Sequence, residues 1–140
     1  MSLLTGVKKV AIAGASMEPT LKEGDWLLFR YWRAGLKAEL LGPKGMAEEA
    51  KRGRVPKEFH ARIARKAESL EGKVVLFERS EQPGLIQVKR VKRILQSTNG
   101  EFVFWVEGDN AAASADSRAW GGVSLSEIRG VALFRYRKSR

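Results

Sequence analysis

The stretch Glu101-Phe102-Val103-Phe104-Trp105-Val106-Glu107 puts Phe102, Phe104 and Val106 on one side of an extended chain and Val103 and Trp105 on the other. Successive side chains of a strand point to opposite faces, so this alternation predicts a half-buried β-strand; its aromatic and β-branched content agrees. Working outward, Val131-Ala132-Leu133-Phe134-Arg135-Tyr136, Val74-Val75-Leu76-Phe77, the loose alternation from Leu85 to Leu95, and the aromatic-rich run Asp25 to Trp32 after Gly24 share the same texture. Turn signals at Gln82-Pro83-Gly84, Ser97-Thr98-Asn99-Gly100 and Gly108-Asp109-Asn110 separate the later runs. The expectation is a mainly β domain.

Residues 34–72 break the pattern. Apolar residues thin out, and Gly42-Pro43-Lys44-Gly45 interrupts the stretch. Phe59, Ile63, Ala67 and Leu70 then recur at helical spacing, with Pro56 suited to a first helical position and Gly72 to the stop. This predicts a helix over 57–71 and a shorter one at 46–52. One reading packs Phe59, Ile63 and Leu70 on the sheet and leaves the basic face in water. The other makes the segment a substrate lid or membrane-surface element, with Lys57, Arg62, Arg65 and Lys66 facing acidic groups. His60 is read as a surface residue.

A chain of 140 residues accommodates one domain, 1–140, with a helical insertion at about 34–71. It has no cysteine and one histidine, which excludes disulfides, a thiol nucleophile and a histidine-rich metal cluster; no metal or other cofactor is expected. The net charge of +10 is spread along the chain, with short clusters at 89–93 and 135–140, and leaves open both an anionic partner and plain solubility. The apolar run Val10 to Ala15 is far shorter than the ~20 residues that span a bilayer. Met1 to Lys9 is too short and polar for a secretory leader, so a soluble, cytoplasmic protein is expected.

A nucleophilic serine needs a tight turn, a nearby base, and N–H groups aimed at the developing oxyanion. Gly14-Ala15-Ser16-Met17-Glu18-Pro19-Thr20-Leu21 supplies such a turn, with Gly14 open to close approach and Pro19 stiffening the segment just after Ser16. Alone, Ser16 also reads as a plain turn residue. With one histidine available, the base is expected to be a lysine kept neutral by burial, hence on a core strand among apolar neighbours. Val88-Lys89-Arg90-Val91 offers that position, although the same residues suit the basic outer face of an edge strand.

Taken together, these residues resemble a known family. Gly14 to Leu21 with Gly24-Asp25 looks like the nucleophile box of type I signal peptidases, and Gly72-Lys73-Val74-Val75-Leu76-Phe77 like the strand before the base. Val88-Lys89-Arg90-Val91 resembles the lysine box, while Gly108-Asp109-Asn110, Ser114-Ala115-Asp116-Ser117-Arg118 and Gly121 resemble the last box. The boxes occur in the family's order and cover most of the chain outside 34–71.

The resemblance implies a signal-peptidase-like β domain of antiparallel strands with a Ser-Lys dyad. Ser16 would attack the scissile carbonyl, Lys89 would take its proton, and the Ser16 N–H would form part of the oxyanion hole. Ser114 would orient Lys89, Asp116 and Arg118 would pair to hold the last box, and Met17 would pack beneath the site. Departures are Gly14 where some members place a hydroxyl residue, Lys73 where aspartate is usual, the absence of membrane anchors, and the insertion. Lys92 also lies close to Lys89, but strand alternation puts it on the opposite face. The compact length, Pro83 to Arg90 and Trp105 to Asn110 are similar to a soluble branch, the nickel-type superoxide dismutase maturation proteases. The implied partner is a protein or peptide with an N-terminal propeptide, with no obligatory nucleic acid and membrane-surface contact left open.

Three alternatives stand beside this reading. One is a conventional signal peptidase lacking its anchor. A self-cleaving regulator resembling the SOS-repressor group fits poorly, because only 15 residues precede Ser16. A basic nucleic-acid-binding β module would stack bases on Trp26, Phe29, Trp32, Phe104 and Trp105 beside Lys89, Arg90, Lys92 and Arg93.

Overall fold

A computed structural model describes residues 5–52, 57–98 and 100–137. The strand that carries the alternation, β5 (Phe102–Glu107), buries Phe102, Phe104 and Val106 and leaves Val103 and Trp105 half-buried. The other strands are β1 (Thr5–Ala11), β2 (Trp26–Trp32), β3 (Val74–Glu78), β4 (Ile86–Gln96), β6 (Val123–Ser124) and β7 (Ile128–Arg137). Every pairing among them is antiparallel, in one sheet of order β1-β2-β7-β3-β4-β5-β6. The mainly β, antiparallel expectation is the observed fold.

Two strands carry no sequence pattern of their own. β1 precedes the apolar run Val10 to Ala15 and ends inside it. As an edge strand it pairs only with β2, and residues 6–9 are exposed, which is why Lys8 and Lys9 are tolerated there. β6 is only two residues long, too short for periodicity to register.

The helical insertion begins earlier than its sequence pattern indicates. Helix α1 spans Leu36–Arg52 with a kink at Gly42, and α2 spans Lys57–Ser69. Leu36, Leu40, Leu41, Ile63, Ala67 and Leu70 are buried against one face of the sheet, so the insertion packs as part of the domain. Arg62 and Arg65 are exposed and Lys66 half-buried. Pro56 and the side chains of Lys57, Phe59 and His60 lie outside the described residues.

Period-2 alternation along β3 divides the core. Val75 and Phe77 join the cluster under the helices with Trp32, Phe104 and Ile128, whereas Val74 and Leu76 face a second cluster of Ile12, Met17, Leu21, Leu27 and Phe29. The indole N–H of Trp32 is satisfied by the Ile128 carbonyl at 2.6 Å. The second cluster is the floor on which the turn around Ser16 rests. A short helix, α3 (Ser117–Trp120), follows the loop after β5.

Candidate functional site

Residues from opposite ends of this architecture meet in one cavity. Val10 to Ala13 at the end of β1, together with Ser16 and Met17, form one side, and Leu85 to Lys89 at the start of β4 form the other, with Leu76 also in the lining. Three strands separate β1 from β4 in the sheet, so the sheet curls to bring them together. Among the described residues both cavity-lining segments have a free edge. β1 pairs only with β2, and β4 pairs with β5 only from Arg90 onward, leaving 86–89 bonded on the β3 side alone.

Ser16 sits half-buried in the loop between β1 and β2. Beneath it Met17 is 1% exposed within the second cluster, as expected. The loop is held from within by Glu18 N–H to the Ala15 carbonyl and Leu21 N–H to the Met17 carbonyl. From outside, Asn110 holds it twice: its backbone N–H donates to the Ser16 carbonyl at 2.8 Å and its side-chain amide to the Ala15 carbonyl at 3.0 Å. Gly14 has φ +79, and open space surrounds the position a Cβ would take. Its N–H is engaged by Glu23 at 3.3 Å, while among the described residues nothing accepts from the Ser16 N–H.

Lys89 is 6% exposed on β4, opposite Val75, and Lys92 is exposed. Its amine makes no hydrogen bond or ion pair among the described residues, and neither does Ser16 Oγ. Burial pushes the Lys89 amine below its ordinary value, with the field of Asp116 opposing and that of Arg118 assisting.

The expected Asp116–Arg118 pair is present: Arg118 Nε and Nη2 lie 2.9 Å and 2.7 Å from the two carboxylate oxygens. Burial raises the Asp116 carboxyl, but hydrogen bonds from Arg118, Ser114 and the Gly108 N–H overrule it and hold the group far below the usual carboxylate range. The expected hydrogen bond from Ser114 to Lys89 is not formed. Instead the Ser114 hydroxyl donates to Asp116 Oδ2 at 2.6 Å and accepts the Gly108 N–H at 3.2 Å, which leaves one lone pair for an amine.

Sequence reasoning missed the parts that join these segments. Arg90 grips Asp109 with two bonds of 2.9 Å and reaches the Gly72 carbonyl at 2.8 Å, tying the lysine strand to the loop that carries Asn110. A Cβ at Gly108 would overlap Ser114 Oγ and the Ser16 carbonyl oxygen, so those groups crowd a position only glycine fills. The visible signal was the Gly108-Asp109-Asn110 turn; its partners 15 and 16 are too distant in sequence to be inferred.

Of the five aromatic residues expected to stack bases, only Trp26 and Trp105 are even half-exposed. Phe29, Trp32 and Phe104 are fully buried, and Arg93 covers the Trp105 ring at 5.0 Å. Among the described residues no helix is long and apolar enough to cross a membrane, and no group of three or more His, Cys, Asp or Glu side chains is placed to hold a metal ion. No protein-family model matches the chain, and no curated protein is significantly similar to it.

Proposed function

We propose that the chain is a serine endopeptidase with a Ser-Lys dyad, Ser16 as nucleophile and Lys89 as general base. The observation that carries the reading is that Ser16 and a buried, unpartnered Lys89 with a lowered pKa line the same cavity. A neutral lysine amine accepts the Ser16 proton as Oγ attacks the scissile carbonyl, and the free Ser16 N–H donates to the oxyanion. The resulting ammonium protonates the leaving amine, and water then releases the acyl group with Lys89 again as base. Hydrogen bonds of this kind are often long in a substrate-free site and tighten in the complex.

The substrate would lie extended between the free edges of β1 and β4, pairing through its backbone. Ile12, Met17, Leu76 and Val88 give the cavity an apolar lining suited to small apolar side chains. The class proposed is a protein with an N-terminal leader or propeptide; the family resemblance selects nickel-type superoxide dismutase as the first precursor to test. A cytoplasmic location belongs to the same proposal and is tested by cell fractionation.

The test is cleavage of that precursor by purified protein, with Ser16→Ala and Lys89→Ala compared at matched folding by circular dichroism. Loss of cutting in both variants is the expected result, and full activity in either overturns the dyad. Cutting of a signal-peptide substrate in detergent, with the precursor left intact, would favour the conventional signal-peptidase alternative.

A further inference from the structure

A second recess lies away from the cleft, where β2 meets the helical insertion, and Arg30, Glu39, Arg62, Arg65 and Lys66 line it. Arg62, Arg65 and Lys66 follow the i, i+3, i+4 spacing that puts them on one face of α2, while Ile63 and Ala67 take the buried face. Arg30 is paired with Glu39 Oε1 at 3.0 Å. The three helix cations have no ion-pair partner among the described residues. Lys66 is also pushed below its ordinary pKa, first by burial and then by Arg30, against the pull of Glu39. Like charges crowded around a concave site raise its potential for an anion.

The acid in the recess refines the choice of anion. Glu39 Oε2 is buried and has no hydrogen-bond partner among the described residues. A carboxylate oxygen so placed needs a donor, and a fully deprotonated anion supplies none. Three guanidinium groups and an amine against one carboxylate leave a surplus of positive charge that a dianion matches better than a carboxylate. Phosphate oxygens also accept several N–H forks at once.

We propose that this recess binds a phosphate monoester of a hydroxylated small molecule, with the phosphate held by Arg62, Arg65 and Lys66 and a hydroxyl donating to Glu39 Oε2. The inference stands apart from the peptidase reading, since no residue of the cleft takes part.

Calorimetric titration of the full chain with glycerol 1-phosphate, methyl phosphate and glycerol tests it. Saturable binding of glycerol 1-phosphate, tighter than that of methyl phosphate and absent for glycerol, is expected. The double variant Arg62→Ala/Arg65→Ala changes exposed residues only and should weaken binding at least about tenfold. Glu39→Gln should erase the preference for glycerol 1-phosphate over methyl phosphate. Absence of saturable binding, or unchanged affinity in the double variant, overturns the site; an unchanged preference in Glu39→Gln overturns the role of the hydroxyl. Vesicles of phosphatidylcholine with and without lysophosphatidic acid, which keeps one free glycerol hydroxyl, separate the sources. Binding tighter to lysophosphatidic acid than to the free ester assigns a lipid headgroup, and no such gain assigns a soluble ester.

Discussion

The backbone N–H of Asn110 donates to the carbonyl oxygen of Ser16 across 2.8 Å, and the Asn110 side chain holds the neighbouring Ala15 carbonyl. The loop after β5 is thereby clamped onto the loop before β2. Arg90, next in sequence to Lys89, grips Asp109 of the same clamp. Ser16 and Lys89, on separate segments, are thus referenced to one short turn.

Lys89 sets the first prediction, on stability against pH. A lysine whose folded pKa is lowered binds its proton less readily in the native state than in the unfolded chain. The resulting penalty is full below the folded pKa and disappears as pH rises toward the unfolded value of about 10.4. Native stability should therefore gain with rising pH in that window. Lys66 is lowered too, so the comparison is with Lys89→Met, which should lose the Lys89 share of the slope and be at least as stable as the parent at neutral pH. Thermal melts of both proteins across pH decide the matter; identical slopes would contradict a desolvated amine.

The proposed peptidase gives the same amine a second readout, the rate. The logarithm of kcat/KM for peptide cleavage should climb with pH through a group that titrates below the ~10.4 of a free lysine. A profile flat until strongly alkaline pH would assign proton removal to some other group.

Gly108→Ala tests the crowding at the clamp. The added methyl meets Ser114 Oγ and the Ser16 carbonyl, so one of them must move. Overpacking of this kind costs about 1–3 kcal/mol, and displacement of the Ser16 loop should lower kcat more than it raises KM. An active variant with parental melting temperature would show that the clamp has room for a methyl group.

Asp116→Asn removes the charge at the centre of the last loop. Asp116 is 1% exposed and accepts from Ser114 and the Gly108 N–H as well as from Arg118. Leaving aside the solvent-exposed arginine, weakening bonds to a buried carboxylate should cost about 1.5–3 kcal/mol. Because the folded pKa is depressed, the carboxylate's contribution is complete above the unfolded value of about 3.9 and fades as pH falls toward the folded one. Urea titrations should show the parent losing stability more steeply than Asp116→Asn in acid.

Asn110→Ala removes one of the two bonds that hold the Ser16 loop and keeps the backbone one. The loss should be about 0.5–1.5 kcal/mol, with a measurable fall in kcat. Parental kinetics would mean that the backbone bond alone positions the loop.

How far the chain can be read without its fold differs by element. β5 is legible because one face meets the helices and the other is partly open, so Phe102, Phe104 and Val106 repeat with period 2. β1 is not, since an exposed edge strand carrying Lys8 and Lys9 has no apolar repeat. In α1, the glycines and proline at 42–45 hide a helix that continues through a kink, its apolar Leu36, Leu40 and Leu41 lying before the break. Asp116–Arg118 is legible because its partners are two residues apart. The Ser114 hydroxyl bonds to Asp116 and not to Lys89, because which partner a rotatable hydroxyl takes is set by the folded loop.

Residue chemistry and local periodicity determined by themselves that the domain is mainly β and that α2 starts just after Pro56. Tertiary structure alone decided that positions 16 and 89 share one cavity, that the amine is desolvated, and that position 110 holds the loop. Those properties depend on the curl of the sheet and on contacts between residues tens of positions apart, and no local pattern encodes them.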